Sequence, residues 1–258
     1  PDFLTAAVLG LALSGGAPFL AWAILRRFTR LDPATAGALA AAYGSVSVVT
    51  FAAAQEHLTA LGHAPSGFMA AVLAVMEAPA ILTALVLMNG GSGRAAAWPE
   101  VARHALVGAA GVMLLGSFAV GLVSGESGQA KLALFTGPLF QGVLCLFLLD
   151  LGLQASRGLL AGGARLSPGV VAFAILFPIA AAVSVMGLAQ ALGVRTADAA
   201  LLAVLAGSAS YIAVPAAMRL AAPAADPAVY VTTPLAVTFP FNLLVGIPAY
   251  AALAGWMG

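Results

Sequence analysis

Long apolar segments, separated by short stretches that contain polar residues, glycine or proline, follow one another along the whole chain. Each segment is long enough to cross a hydrocarbon layer about 30 Å thick as a helix. The segments are continuously apolar rather than alternating, which is typical of membrane helices and not of barrel strands. The pattern therefore predicts an all-α polytopic membrane protein. Its eight predicted helices span about residues 3–28, 34–57, 66–90, 102–123, 131–158, 168–193, 197–221 and 229–257.

The composition narrows the class of protein further. Hydrophobic residues make up 62% of the 258 residues and charged residues only 7%, and the mean hydropathy is +1.07. A soluble domain carries about 25% charged residues, so this chain needs a lipid bilayer as its surroundings. The single cysteine, Cys145, and three histidines without metal-ligand spacing indicate neither a disulfide framework nor a metal cluster. A net charge of +1 gives no reason to expect nucleic acid.

The basic residues are distributed unevenly between the two sides of the predicted membrane. If the helices alternate in direction, only Lys131 and Arg195 lie on one side. The other side carries Arg26, Arg27, Arg30, Arg94, Arg103, Arg157, Arg165 and Arg219. Because cytoplasmic loops are enriched in Lys and Arg, this side is predicted to be cytoplasmic, in a bacterial cytoplasmic (inner) membrane with the C-terminus outside. The polar segment 91–101 is predicted to be a cytoplasmic linker between a first unit, 1–90, and a second unit, 102–258.

The two units share an internal repeat. A shift of 163 positions aligns residues 31–47 with residues 194–210, and seven of the 17 aligned residues are identical. The second unit has two helices before its repeated part that lack counterparts in the first unit. We therefore expect a complete protein of five plus five helices, with two more helices before residue 3. Because five helices cross the membrane an odd number of times, the second copy is expected to be inverted, an arrangement typical of transporters that work by alternating access.

Each copy of the repeat carries a Gly-Ser-x-Ser sequence in the middle of a predicted helix, at residues 44–47 and 207–210. Glycine costs roughly 1 kcal/mol relative to alanine inside a helix and serine competes for backbone hydrogen bonds, so both helices are predicted to break there. Broken helices in transporters direct half-helix N-termini at anions and leave carbonyls free for Na⁺. The alternative is that the small residues only allow close packing. The residues predicted to bind substrate are Gly44, Ser45, Ser47, Gly207, Ser208, Ser210 and Tyr211.

Glu77 lies inside a predicted membrane helix, two residues before Pro79. A carboxylate at this depth costs about 2.5 to 3.5 kcal/mol to insert, so it needs a partner or an ion. In the other copy of the repeat, Thr238 and Asn242 lie one helical turn apart and share a face. We therefore expect Glu77, Ser47, Thr238 and Asn242 to form a sodium site. The alternatives are a protonated Glu77 in a helix–helix hydrogen bond and an Asn242 that only holds helices together.

Four segments resemble the sodium-dependent bicarbonate transporter family, the SbtA-like permeases. They are AAYGSVSVVTF at 41–51, MEAPAI at 76–81, SASYIAVP at 208–215 and TFPFN at 238–242. The resemblance covers essentially all eight predicted helices. It implies ten helices in two inverted repeats, a homotrimer, and a substrate site between two crossing broken helices. It further implies that Ser45, Ser47, Ser208 and Ser210 hold bicarbonate, and that Glu77 takes the place of an acidic residue linked to sodium.

The sequence departs from that family in two places. Cyanobacterial members carry an aspartate where this chain has Tyr211, and their central cytoplasmic loop is much longer than residues 89–104. The resemblance therefore leaves open the number of sodium ions and a role for the family's PII-like cytoplasmic regulator.

We expect Na⁺-dependent symport of bicarbonate, or a similar small anion, into the cell by alternating access. A Na⁺-coupled organic-anion carrier and a cation/proton antiporter are alternatives in the same class, and an intramembrane enzyme or a non-transporting receptor is a remote one. No second carboxylate lies within one helical turn of Glu77 or Asp150 to form a catalytic pair. We therefore expect no enzymatic activity and no cofactor, with Na⁺ as the coupling ion.

Overall fold

The computed structural model describes residues 2–77, 79–89, 109–162 and 166–257, and this part of the chain is helical without strands. The first helices are α1 (Asp2–Phe28), α2 (Pro33–Gly44), α3 (Val48–Ala60), α4 (Met69–Glu77) and α5 (Pro79–Asn89). The next are α6 (Ala109–Thr136), α7 (Pro138–Gly162), α8 (Pro168–Ala191), α9 (Thr196–Ala206) and α10 (Ala213–Ala221). The last are α11 (Pro227–Tyr230), a π-helical turn (Pro234–Thr238), α12 (Phe239–Phe241), a second π-helical turn (Asn242–Gly246) and α13 (Ile247–Met257).

Six segments of the described residues are long and apolar enough to cross a membrane: Asp2–Phe28, Pro33–Ala60, Met69–Met88, Pro138–Leu160, Pro168–Ala191 and Pro227–Met257. The prediction of an all-α polytopic membrane protein is confirmed. The predicted helix 197–221 is divided into α9 and α10. The start of the predicted helix 102–123 and the predicted linker 91–101 lie outside the described residues.

Proline marks where several helices begin. Pro33 and Pro168 occupy the first turn of α2 and α8, where the missing N–H would have no intrahelical partner in any case. Asp32 caps α2 by accepting hydrogen bonds from the N–H groups of Ala34 and Thr35, each at 3.0 Å. Partial burial raises the pKa of Asp32, but hydrogen bonds from Thr35 and Ala34 hold that pKa below its ordinary value.

The boundaries of α6 and α7 differ from the sequence prediction. The loop predicted between residues 123 and 131 is instead a kink inside α6, where Gly125 has a φ of 56° and a ψ of −157°. Helix α7 begins at Pro138 rather than at residue 131, because proline fits the first helical position. A hydropathy profile alone predicts neither the kink at Gly125 nor the helix start at Pro138.

The last span contains two π-helical turns where the sequence predicts one regular helix over 229–257. In the first turn the N–H of Phe239 donates to the carbonyl of Pro234, five residues earlier. Pro240 has no N–H to continue a regular ladder, so the helix widens beside it. Each π-helical turn changes which face the following side chains occupy.

The N-terminal halves of the two interrupted helices form the centre of the protein. Residues 35–44 of α2 and 198–205 of α9 are all buried. Helix α2 packs against α1, α5 and α10, whereas α9 packs against α8, α3 and α13. Each N-terminal half therefore contacts the C-terminal half of the other interrupted helix.

Helices α6 and α7 lie at the edge of this bundle. In the most apolar part of each span, 83% of the residues of Pro33–Ala60 are buried, against 11% for Pro138–Leu160. Helix α6 contacts α4, and α7 contacts the first π-helical turn. The apolar side chains that this pair exposes suit contact with lipid.

Candidate functional site

Two membrane helices are interrupted where the sequence predicts it. The first break, residues 45–47, separates α2 from α3, and the second break, residues 207–212, separates α9 from α10. Ser47 begins α3 by accepting a hydrogen bond from the N–H of Thr50 at 3.1 Å. Every serine in the two breaks is buried, as irregular backbone in a membrane requires.

The two breaks contact each other directly. The N–H of Ser47 donates to the hydroxyl of Ser208 at 3.1 Å. In the opposite direction, the N–H of Ser210 donates to the carbonyl of Ala42 at 2.8 Å. These bonds satisfy backbone and side-chain groups that the unwound segments would otherwise leave unpaired in a lipid environment. The interrupted helices therefore cross at their breaks.

A cavity of about 80 Å³ lies beside this crossing. Its lining comes from both breaks, from the helix starts that follow them and from the end of α4. The lining residues are Val46, Ser47, Val48, Val49, Glu77, Ser210, Tyr211, Ile212 and Ala213. Because one water needs roughly 10–15 Å³, the cavity has room for a few waters or one small anion.

The cavity lies at the N-terminal ends of two half-helices. Val48 and Val49 form the first turn of α3, and Ala213 begins α10. The first N–H groups of a helix lack intrahelical acceptors and carry a partial positive charge, so they can donate to an anion. The sequence analysis expected half-helix N-termini to face an anion, but it named the Gly-Ser-x-Ser residues and not the first-turn residues Val48, Val49 and Ala213. These donors could have been predicted from the sequence, because the residues that follow a helix break begin the next half-helix.

Three hydroxyl groups border the cavity. The Ser47 hydroxyl donates to the Tyr211 hydroxyl at 3.0 Å, and the Tyr211 ring packs on Phe239 with centroids 5.2 Å apart. The Ser210 hydroxyl accepts the N–H of Val214 at 3.3 Å. Hydroxyls can donate and accept, so these groups can serve an anion or a cation.

Among the described residues that line this cavity, Glu77 is the one carboxylate, and none is Lys, Arg or His. The residue is 7% exposed, and among the described residues its Oε2 atom has no hydrogen-bond partner. A buried carboxylate without a partner is costly in a membrane, so the site favours a cation or a proton at this oxygen. The arrangement therefore combines donors for an anion with one carboxylate, among the described residues, that can hold a positive charge.

Four other predicted substrate residues lie at the crossing but outside the cavity lining. A Cβ atom on Gly44 would lie 2.4 Å from Cγ of Pro18, and one on Gly207 would lie 3.0 Å from the carbonyl oxygen of Pro178. Both glycines therefore allow close helix packing. The remaining two are serines whose hydroxyls donate to carbonyls: Ser45 to Glu77 at 3.3 Å and Ser208 to Leu205 at 2.7 Å.

Thr238 and Asn242 lie behind the second break and do not border the cavity. The Asn242 amide donates to the carbonyl of Gly207 at 2.8 Å, while its Oδ1 atom is buried without a partner among the described residues. The Thr238 hydroxyl donates to the carbonyl of Ala174 at 2.8 Å and is hydrogen-bonded to the hydroxyl of Tyr43. The structure thus brings Glu77 and Ser47 together and places the other two predicted sodium ligands elsewhere.

The sequence was compared with curated proteins and with protein-family models. No curated protein matches the sequence significantly. The family model described as the Na⁺-dependent bicarbonate transporter superfamily matches residues 1–255. The match includes both breaks, Glu77 and the last span up to residue 255. The chain is therefore a member of the Na⁺-dependent bicarbonate transporter superfamily.

Proposed function

We propose that the protein carries bicarbonate, or an anion of similar size, into the cell together with Na⁺ by alternating access. The observation that carries this proposal is one cavity bordered by two half-helix N-termini and a single buried carboxylate. Helix N-termini attract an anion, and a buried carboxylate attracts a cation. A volume of about 80 Å³ favours a small inorganic anion over a large organic one.

Bicarbonate fits the groups that border the cavity. It offers acceptor oxygens to the first-turn N–H groups of α3 and α10, and it has one O–H group to donate. The hydroxyls of Ser47, Ser210 and Tyr211 can take either role. Because Gly44, Ser45, Gly207 and Ser208 do not border the cavity, we assign them to holding the helix crossing in place.

Glu77 and Ser47 are proposed ligands of the coupling sodium ion. An ionised Glu77 beside an empty ion position repels an anion, whereas Na⁺ at the carboxylate cancels that repulsion. Sodium binding therefore raises the affinity for the anion, and by linkage the anion raises the affinity for sodium. Since the Oδ1 atom of Asn242 has no partner among the described residues, we assign Asn242 to a separate sodium position behind the second break. Thr238, whose hydroxyl is bonded to Ala174 and Tyr43, is assigned to holding the helices together.

The number of sodium ions decides how strongly the anion can be accumulated. One Na⁺ with one bicarbonate is electrically neutral, so a tenfold sodium gradient supplies only about 1.4 kcal/mol. A second Na⁺ makes the step electrogenic and adds about 2.3 kcal/mol per 100 mV of membrane potential. The separate position at Asn242 is therefore the place where electrogenic transport would originate.

The positions of the helix starts support the internal repeat. Helix α2 begins at Pro33 and α9 begins at Thr196, which is the same shift of 163 positions that aligns the motifs. We propose that the bundle around the crossing moves against α6 and α7, exposing the cavity to each side in turn. From the family resemblance we further propose a homotrimer. From the arginine distribution we propose a bacterial cytoplasmic membrane location with an external C-terminus.

The test is uptake of [¹⁴C]-bicarbonate into proteoliposomes with and without an inward Na⁺ gradient, for the wild type and Glu77→Gln. We expect Na⁺-dependent uptake in the wild type and background uptake in the variant, because glutamine cannot supply a charge to hold Na⁺. A variant with the wild-type sodium response would contradict the role of Glu77. Absence of uptake in a folded, Na⁺-binding protein would contradict bicarbonate as substrate.

Two further measurements separate the alternative carriers. Displacement of uptake by unlabelled carboxylates but not by unlabelled bicarbonate would identify an organic-anion carrier. Sodium-driven pH changes in the absence of CO₂ species would identify a cation/proton antiporter.

A further inference from the structure

One face of α1 runs past both the Glu77 region and the first break. Gly10, Ser14 and Pro18 recur every four residues and therefore share this face. All three are buried, and α1 packs against α2, α4 and α5. A single helix face thus contacts the two elements that must be held together for Glu77 to border the cavity.

The contacts of this face are specific. A Cβ atom on Gly10 would lie 2.9 Å from Cγ of Met76, so α1 and α4 approach closely there. One turn later the Ser14 hydroxyl donates to the main-chain carbonyl of Met76. Another turn on, Pro18 packs against Gly44 at the end of α2.

The carbonyls at the end of α4 need such donors. Helix α4 ends at Glu77, so its last four carbonyls, which include those of Met76 and Glu77, lack regular partners within the helix. In the structure Ser14 serves Met76, and Ser45 of the first break serves Glu77 at 3.3 Å. Two hydroxyls, one from α1 and one from the first break, thereby fix the backbone that carries the carboxylate.

We propose that Ser14 is a positioning residue for Glu77: its bond to the Met76 carbonyl sets where the carboxylate stands in the cavity, and hence the affinity for sodium. The inference rests on the proposed role of Glu77 as a sodium ligand. Ser14 acts through the backbone and contacts neither ion nor anion. Losing it shifts the ion site while the half-helix N-termini that bind the anion stay in place.

The experiment compares Ser14→Ala, Ser14→Thr and Ser14→Cys with the wild type in proteoliposomes. Half-saturation concentrations are measured for Na⁺ and, at saturating Na⁺, for bicarbonate. Na⁺-induced shifts of the apparent melting temperature in bicarbonate-free detergent report ion binding without transport. Thr83→Val is the matched control, because it removes a hydroxyl-to-carbonyl bond of 3.0 Å from α5 and leaves the end of α4 intact.

We expect Ser14→Ala to raise the half-saturation concentration of Na⁺ about three- to tenfold, the effect of one hydrogen bond. The bicarbonate value at saturating Na⁺ changes less than about twofold, because anion binding is not removed. Ser14→Thr keeps the donor and restores the wild-type value, Ser14→Cys lies between, and Thr83→Val changes neither value.

Equal losses for both solutes, or a wild-type sodium response in Ser14→Ala, overturn the positioning role. If this happens while Glu77→Gln abolishes the sodium response, the proposed function stands and only the inference fails. If Glu77→Gln keeps the full sodium-induced melting shift, the sodium site itself is wrong and the inference falls with it.

Discussion

The first break spans three residues and the second spans six, although both arise from a Gly-Ser-x-Ser sequence. In the first, the Ser47 side chain caps the following half-helix, whereas α10 begins after Ile212 without a side-chain cap. The helix beside the first break carries the acidic Glu77, and the one beside the second carries the neutral Asn242. The same motif therefore occurs in two different settings. The first break is short, capped and next to an acidic side chain, whereas the second break is longer and next to a neutral amide.

The proposed motion predicts that both breaks travel as one body against α6 and α7. A Cβ atom on Gly158 of α7 would lie 3.9 Å from Cβ of Thr232 at the start of the last span, a separation that suits a disulfide. In a background with Cys145→Ala, oxidation of Gly158→Cys/Thr232→Cys is expected to stop Na⁺-driven uptake completely. Reduction restores it, as measured in the same proteoliposomes.

The matched control joins two helices inside the body. A Cβ atom on Gly15 of α1 would lie 4.0 Å from Cβ of Pro79 in α5. Uptake by Gly15→Cys/Pro79→Cys should be the same before and after oxidation. The reduced form of this variant is the reference for its oxidised form. Full uptake by the oxidised Gly158→Cys/Thr232→Cys protein would contradict motion of the bundle against α7.

A second prediction concerns how each interrupted helix is tied to the other unit. Asp198 in α9 is fully buried and accepts bonds from the N–H of Ser66 at 2.6 Å, its hydroxyl at 2.8 Å and Arg195 at 3.0 Å. The equivalent residue in α2 is Thr35, whose hydroxyl accepts a hydrogen bond from the N–H of Asp226 at 2.9 Å. The tie at Asp198 thus contains a carboxylate and an arginine, whereas the bond between Thr35 and Asp226 joins a hydroxyl and a main-chain N–H.

Removing these ties should therefore have unequal costs. Asp198→Ala is expected to lower the free energy of unfolding by about 2–3 kcal/mol, because bonds to a charged group are lost and a main-chain N–H loses its acceptor. Thr35→Ala should cost about 1 kcal/mol. Apparent melting temperatures in detergent rank the two variants. Equal shifts would mean that the charged cluster adds nothing beyond a neutral bond.

Particular residues show how far the sequence could lead. Glycine and serine in the middle of an apolar helix, repeated at a fixed shift, were sufficient to predict both breaks. The extension of the second break through Tyr211 and Ile212 was not predictable, since it depends on the bond from Ser210 to Ala42, far away in the sequence. Local propensity carries no information on such contacts.

Glu77 and Asn242 illustrate the same limit within the site. A buried carboxylate in a membrane helix indicates an ion by itself, and the structure does place Glu77 at the cavity. The prediction for Thr238 and Asn242 assumed a regular helix, in which residues four apart share a face. The π-helical turns at Pro234–Thr238 and Asn242–Gly246 change that phase, and the two side chains bond to different elements.

The smallest expected effect compares the same residue in the two breaks. Ser47→Ala removes the cap on Thr50, the donor to Tyr211 and a proposed sodium ligand, so it should cost about 1 kcal/mol of stability and weaken the binding of both Na⁺ and bicarbonate. Ser210→Ala loses only a long bond of 3.3 Å and should cost about half as much. Ser127→Ala, on the exposed face of α6, is the control. Melting temperature and bicarbonate half-saturation measure both effects, and if Ser210→Ala matched Ser47→Ala in both, the tighter first break would have no functional meaning.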